Sequence, residues 1–272
     1  MPLATLGTVR IHYDVQGDGE PLVLTQGQGT GPAARAALVA GLAARFRVLT
    51  YDQRGSGRSP PAPQGQSMAE LAEDLCGLME VAGFVSAHVV GLSTGTGKAT
   101  ALAALHPHRV RRLVLGAPWT HADDELQQLQ NLRKVAARSL PADQQVYFNA
   151  GLIYPPDYRR RHRERLAQQA RTALTSPSDP QGMAARLDAI LAFDARPLYP
   201  QIVSPTLVMG AADDLVMPAW HAQDAARAID GARLVMLDGG GHLFAETRTD
   251  EFLSHALPFL QGGAGPSTGV RP

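Results

Sequence analysis

Six short apolar runs, nearly unbroken, punctuate the chain: Pro21-Leu22-Val23-Leu24-Thr25, Arg47-Val48-Leu49-Thr50-Tyr51-Asp52, Ala87-His88-Val89-Val90, Leu113-Val114-Leu115, Thr206-Leu207-Val208-Met209 and Arg233-Leu234-Val235-Met236-Leu237. A strand with one wet face alternates apolar and polar residues, as Val9-Arg10-Ile11-His12-Tyr13 does. A continuous run has no wet face. It calls for a strand covered on both sides, which is the habit of parallel sheets sandwiched between helices.

The segments between the runs carry helical spacing. Ser67-Met68-Ala69-Glu70 has the form of a capping box, and Leu71, Leu75, Leu78 and Met79 continue the pattern to Gly83. Thr94 to about Leu105, Pro218 to about Ile229, and Phe252 to Leu260 read as further helices. Strand and helix in alternation give an α/β fold, a mostly parallel twisted sheet with helices on both faces and right-handed crossovers. From about Thr120 to Ser204 the rhythm breaks, and only helical patterns and short apolar patches appear. We expect a core of residues 1–119 and 205–261, an inserted helical unit over 120–204 and a loose tail over 262–272. An insertion at that place emerges at the carboxyl ends of the strands, where ligands bind in open α/β sheets.

Composition narrows the function. Lys plus Arg and Asp plus Glu both number 25, so the formal charge is zero, which argues against nucleic acid or an anionic membrane as partner. The only cysteine, Cys76, cannot form an intrachain disulfide. No run of about 18 apolar residues exists to span a membrane, and Met1-Pro2-Leu3-Ala4-Thr5 lacks the regions of a signal peptide, so a cytoplasmic location is expected. Metal-ligand spacings such as H-E-x-x-H are absent. Only Lys98 and Lys134 are lysines.

Gly91-Leu92-Ser93-Thr94-Gly95 follows an apolar run and opens a helical pattern. G-x-S-x-G in that context forms a nucleophile elbow, in which glycines leave room for a very sharp turn and the serine sits at a helix N-terminus. Taken alone, the same residues could be a small-residue turn packing a helix on a sheet. Two phosphate motifs fail nearby. Gly95-Thr96-Gly97-Lys98 has Leu92 where a phosphate-binding loop needs its first glycine, and Ala99 where it needs Ser or Thr. Gly27-Gln28-Gly29-Thr30-Gly31 places Pro32 at the third glycine of a dinucleotide fingerprint.

Two more loops after apolar runs bear ionisable residues. Gly239-Gly240-Gly241-His242 follows the last run, and Gly210-Ala211-Ala212-Asp213-Asp214 follows the one before it. A histidine on such a loop can reach a serine on a central strand, and a carboxylate can fix its tautomer. The order Ser93, Asp, His242 is that of α/β-hydrolases.

With these motifs the sequence resembles an α/β-hydrolase fold protein over roughly residues 5–260. The run Asp52-Gln53-Arg54-Gly55-Ser56-Gly57-Arg58-Ser59 is similar to the subgroup of β-ketoadipate enol-lactonases, aminoacrylate-type hydrolases and bacterial perhydrolases. The resemblance implies hydrolysis of a small-molecule ester, lactone or amide-type bond through an acyl-enzyme, with no cofactor, and a cap built from the insertion. It further implies Ser93 as nucleophile, His242 as base, and the backbone N–H groups of Gln28 and Thr94 as oxyanion hole. The family usually has His-Gly where this chain has Gln26-Gly27. Trp119, Tyr147 and Phe148, with Tyr154 and Phe193, are candidates to line the acyl pocket, the alternative being the cap's own core.

The third triad member is either of two aspartates. Counting from Gly210, the family pattern G-x-x-D selects Asp213, whereas counting back from Pro218, D-x-x-x-P selects Asp214. The proline register continues into the helix and on to Gly231, so Asp214 is the expected residue, with Asp213 facing solvent or capping its loop. The same triad could serve perhydrolysis or acyl transfer, and some members of the fold sense small molecules without turnover. The oligomeric state leaves no trace in the sequence.

Overall fold

The computed structural model describes residues 2–27, 32–62, 66–175 and 179–263, with the backbone alone for 32–34. Gln28 and the tail beyond Gly263 lie outside the described residues.

The elements run β1 (Leu3–Leu6), β2 (Val9–Gln16), β3 (Glu20–Thr25), α1 (Pro32–Ala43), β4 (Phe46–Tyr51), α2 (Met68–Val81), β5 (Ala87–Leu92), α3 (Thr94–Leu105) and β6 (Val110–Gly116). There follow α4 (Asp124–Ser139), α5 (Ala142–Ile153), α6 (Pro156–Arg161), α7 (Arg163–Thr175) and α8 (Pro180–Ala192). The chain then returns through β7 (Thr206–Ala211), α9 (Ala219–Ala228), β8 (Arg233–Leu237), α10 (Phe244–Thr247) and α11 (Thr249–Leu260).

The strands form one eight-stranded sheet in the order β1-β2-β4-β3-β5-β6-β7-β8. Pairing is antiparallel for β1 with β2 and β2 with β4, and parallel from there to β8. Neighbouring side chains on a strand point to opposite faces, and the apolar runs use both. Val23, Val89, Leu113, Leu115 and Val208 enter a core under α2, α3 and α9. Leu22, Leu24, Val90, Val114, Leu207 and Met209 enter another under α1 and α11.

The capping box at α2 is present: Glu70 N–H donates to Ser67 Oγ at 3.2 Å and Ser67 N–H to Glu70 Oε2 at 2.7 Å. Every residue of α3 from Thr94 to Ala104 is buried. Its glycines, alanines and threonines are what allow a helix to lie that deep against a sheet.

Sheet order places the functional loops. After β3 the chain moves to β4 on one side, whereas β5 lies on the other, so order reverses between β3 and β5. Ligands bind at such a switch point, beyond the carboxyl ends of the strands. Thr25 pairs with Gly91, which brings Gln26-Gly27 and Ser93 side by side there. Helices α4 to α8 fill the connection from β6 to β7, with no strand among its described residues. A cluster of Trp119, Met68, Leu71, Leu126, Leu187, Ile190, Val216 and Met217 packs these helices onto the core.

Candidate active site

Ser93 is the pivot between β5 and α3, with φ 53° and ψ −127°. A non-glycine residue at positive φ costs about 1–3 kcal/mol and persists only where its surroundings enforce it. They do so here by close approach. A Cβ on Gly27 would lie 2.7 Å from Ser93 Cβ, and one on Gly91 would lie 2.8 Å from Ala99 Cβ. A Cβ on Gly95 would collide with the backbone oxygen of Thr25. Because that obstacle is backbone in a buried strand, Gly95→Ala is expected to lower folding stability by at least about 3 kcal/mol, measured by urea unfolding.

Ser93 Oγ lies 2.7 Å from His242 Nε2. His242 Nδ1 in turn lies 2.9 Å and 3.1 Å from the two Asp214 oxygens. All three residues are buried. Asp214 Oδ1 also accepts the N–H groups of Val216 at 2.8 Å and Met217 at 2.9 Å, so its carboxylate is fixed in place and its charge supported. With Nδ1–H donated to Asp214, Nε2 faces Ser93 as an acceptor, the state in which imidazole can take the hydroxyl proton.

Asp213 does something that neither expected alternative described. Its carboxylate accepts Gly241 N–H at 2.8 Å and Gly240 N–H at 3.3 Å, and so holds the loop that carries His242. Gly240 and Gly241 have φ of +121° and +67°, which only glycine takes at little cost. Gly241 also passes close under the α5–α6 corner, where a Cβ would lie 2.9 Å from Ile153 O.

A family model for the alpha/beta hydrolase fold matches residues 20–249. The chain belongs to the alpha/beta hydrolase fold family. Among curated relatives of this alpha/beta hydrolase, the protein named "Putative carbamate hydrolase RutD" of Azorhizobium caulinodans is 31% identical over 259 residues, covering 95% of this chain and 98% of the relative. The crystal structure of the enol-lactonase from Burkholderia xenovorans LB400 superposes with a TM-score of 0.85 at 32% identity, covering 96% of this chain and 100% of that one. A hydrolase from Pseudomonas aeruginosa PA01 gives 0.83 at 30% identity, with 96% and 97% covered.

Two cavities reach the elbow of this alpha/beta hydrolase. One is bounded by Ser93, His242, Leu38, Leu92, Leu243 and Phe244 among others. The other is bounded by Thr94, Lys98, Gln53, Arg54, Gln66 and Arg186 among others. Trp119, Tyr147 and Phe148 line neither. Trp119 instead sits in the interface between helices and core, its Nε1–H donated to Ile190 O at 3.2 Å and its ring edge-on to Phe193. Tyr147 is exposed, beside a surface hollow with Arg159 and Arg163, and Phe148 is half-buried. Tyr154 joins Tyr158 and Arg165 around the Glu246 carboxylate, linking the inserted helices to α10.

Lys98 is the residue whose place the sequence did not reveal. It is 2% exposed, and its Nζ donates to Gln26 O at 3.0 Å and Gln53 Oε1 at 3.1 Å, tying the loop after β3 to the loop after β4. Of the expected oxyanion donors, Thr94 is the first residue of α3, so its N–H has no acceptor within the helix. Gln28 lies outside the described residues. Among those residues, metal-donor side chains cluster at Glu73, Cys76 and His106. His106 caps the far end of α3 from Ser93, with Nε2 2.7 Å from Glu73 Oε1. No helix of the described residues is long and apolar enough to cross a membrane.

Proposed function

We propose that the protein is a serine hydrolase that cleaves an ester, lactone or amide-type bond of a small molecule through an acyl-enzyme on Ser93. The observation that carries this reading is the unbroken chain from Ser93 Oγ to His242 Nε2 at 2.7 Å and from His242 Nδ1 to Asp214 at 2.9 Å. His242 takes the proton of Ser93 as Oγ attacks the carbonyl carbon. The oxyanion is received at the N-terminus of α3 by Thr94 N–H, with Gln28 N–H as the second donor in our reading. His242 then passes its proton to the leaving group, which departs as alcohol or amine. Water, deprotonated by the same imidazole, attacks the acyl carbonyl, and Ser93 leaves with its proton restored.

Residues 120–204 act in this reading as a cap over the site. The enol-lactonase and carbamate hydrolase names of the relatives make lactones and carbamates natural members of a first substrate panel beside simple esters.

Turnover of p-nitrophenyl acetate tests the reading. Expected is continued release of nitrophenol to many equivalents per enzyme, with any initial burst equal to the enzyme concentration. A single stoichiometric release with no further turnover would instead show a receptor that is modified once by its ligand.

A further inference from the structure

The two cavities at the elbow differ in chemistry, and the difference bears on which substrate fits, given the hydrolase reading above. The chamber beside Ser93 and His242 is walled by Leu38, Leu92, Leu243 and Phe244, and its charged members Arg35 and Glu246 are neutralised by Asp52 and Arg165. Among the described residues the chamber beside Thr94 has three cationic side chains, Lys98, Arg54 and Arg186, and no carboxylate in its lining. Arg54 is satisfied by Asp74, and Arg186 is 3.6 Å from Asp179. Among the described residues the hydrogen bonds of Lys98 go to the neutral acceptors Gln26 O and Gln53 Oε1, which leaves its third ammonium N–H without an oxygen acceptor beside the Tyr51 ring.

A second group in this chamber is also unsatisfied. Thr94 is 5% exposed, and its hydroxyl is buried without a hydrogen-bond partner among the described residues. Buried polar atoms are nearly always paired, so an orphan on a residue that lines a cavity points to a partner held in that cavity. Thr94 and Lys98 stand one helical turn apart on α3 and line the same chamber. We propose that this chamber is an anion subsite, in which Thr94 Oγ1–H and Lys98 Nζ–H donate to a carboxylate on the substrate's acyl chain. Because Thr94 directly follows Ser93, the carboxylate is only a few bonds from the carbonyl that is attacked. The substrate class is then a half-ester of a short dicarboxylic acid.

Protonation of Lys98 supports the assignment. Burial pushes it down to about 7, opposed by the charge of Asp74. The charged and titratable groups around it are the Arg54–Asp74 pair, the Tyr51 ring 5.4 Å from Nζ, and Arg186 across the chamber. A bound carboxylate favours the ammonium, so binding takes up a proton and weakens as pH rises past about 7.

Calorimetric titration of the Ser93→Ala variant with ethyl hydrogen glutarate and with diethyl glutarate tests the subsite without any turnover. The half-ester is expected to bind at least about tenfold more tightly at pH 6.5. Thr94→Val and Lys98→Met, each in that background and checked for folding by thermal melting, should bring the ratio towards one. Proton uptake, read from the dependence on buffer ionisation heat, should vanish in Lys98→Met. Equal affinity for the two esters, or a preference that survives Thr94→Val, would overturn the subsite. Failure of the wild-type enzyme to turn over either ester would count against the hydrolase reading alone, since the binding preference is measured independently of it.

Discussion

Replacement of Ser93 by alanine is expected to reduce ester turnover on the order of 10⁶-fold while the protein remains folded. Ser93 Oγ is the atom that bonds to the acyl carbon in the proposed cycle, and it is the hydroxyl that His242 Nε2 meets, at 2.7 Å, among the described residues. Alanine keeps the backbone of the turn, and the positive φ of 53° is enforced by neighbours that remain. Stability should therefore change little, and a wild-type melting temperature beside lost turnover separates chemistry from folding. Only the background left by oxyanion donors and binding should persist.

The paired substitutions Asp214→Asn and Asp213→Asn have the next largest contrast. Asn at 214 offers Nδ1 of His242 a neutral amide, which can hold the ring in the wrong tautomer and gives no charge to stabilise the imidazolium. A loss of up to about 10⁴ in kcat is expected. Asn at 213 keeps an oxygen that can still accept Gly241 N–H, now at 2.8 Å, so the His242 loop stays in place and the loss should be under about tenfold. Asp213→Ala, which removes that acceptor, should fall between the two, through misplacement of His242. Steady-state kinetics on the three variants decide the roles. A near-normal Asp214→Asn enzyme would transfer the triad position to Asp213.

The difference between what the sequence showed and what it hid follows from range. The central strands were readable because burial on both faces makes them apolar at every position, as at Leu22-Val23-Leu24. The elbow was readable because its glycines are demanded locally: Gly91 and Gly95 sit where a Cβ would strike Ala99 or Thr25. The helices α1 and α5 carry no clear signal in the sequence. In α1, Gly41 interrupts an alanine-rich segment because Leu253 of α11 packs there, a reason invisible from the segment itself. In α5, Val146-Tyr147-Phe148 reads as an apolar patch, yet Tyr147 ends exposed.

The site shows the same divide. Ser93, Asp214 and His242 each follow a strand in a recognisable loop, so their order could be read before their meeting was seen. The role of Asp213 depends on its loop touching Gly240 and Gly241, which lie 27 and 28 residues away. In the sequence Lys98 shows only as part of a failed phosphate motif, because lysine is almost never fully buried unless paired. Trp119 is open between pocket and core in the sequence, because large aromatics in an insertion suit either role, and its burial against Ile190 and Phe193 is that of a packing residue.

Labelling with a fluorophosphonate, followed by peptide mass spectrometry, tests the central claim most directly. The reagent phosphonylates a serine only where a neighbouring base and an oxyanion hole act together. Expected is one adduct per wild-type chain, on the peptide that carries Ser93, formed far more slowly in Asp214→Asn and absent in Ser93→Ala. An adduct that persists in Ser93→Ala, or a wild-type enzyme that turns over esters yet never labels at Ser93, would contradict it.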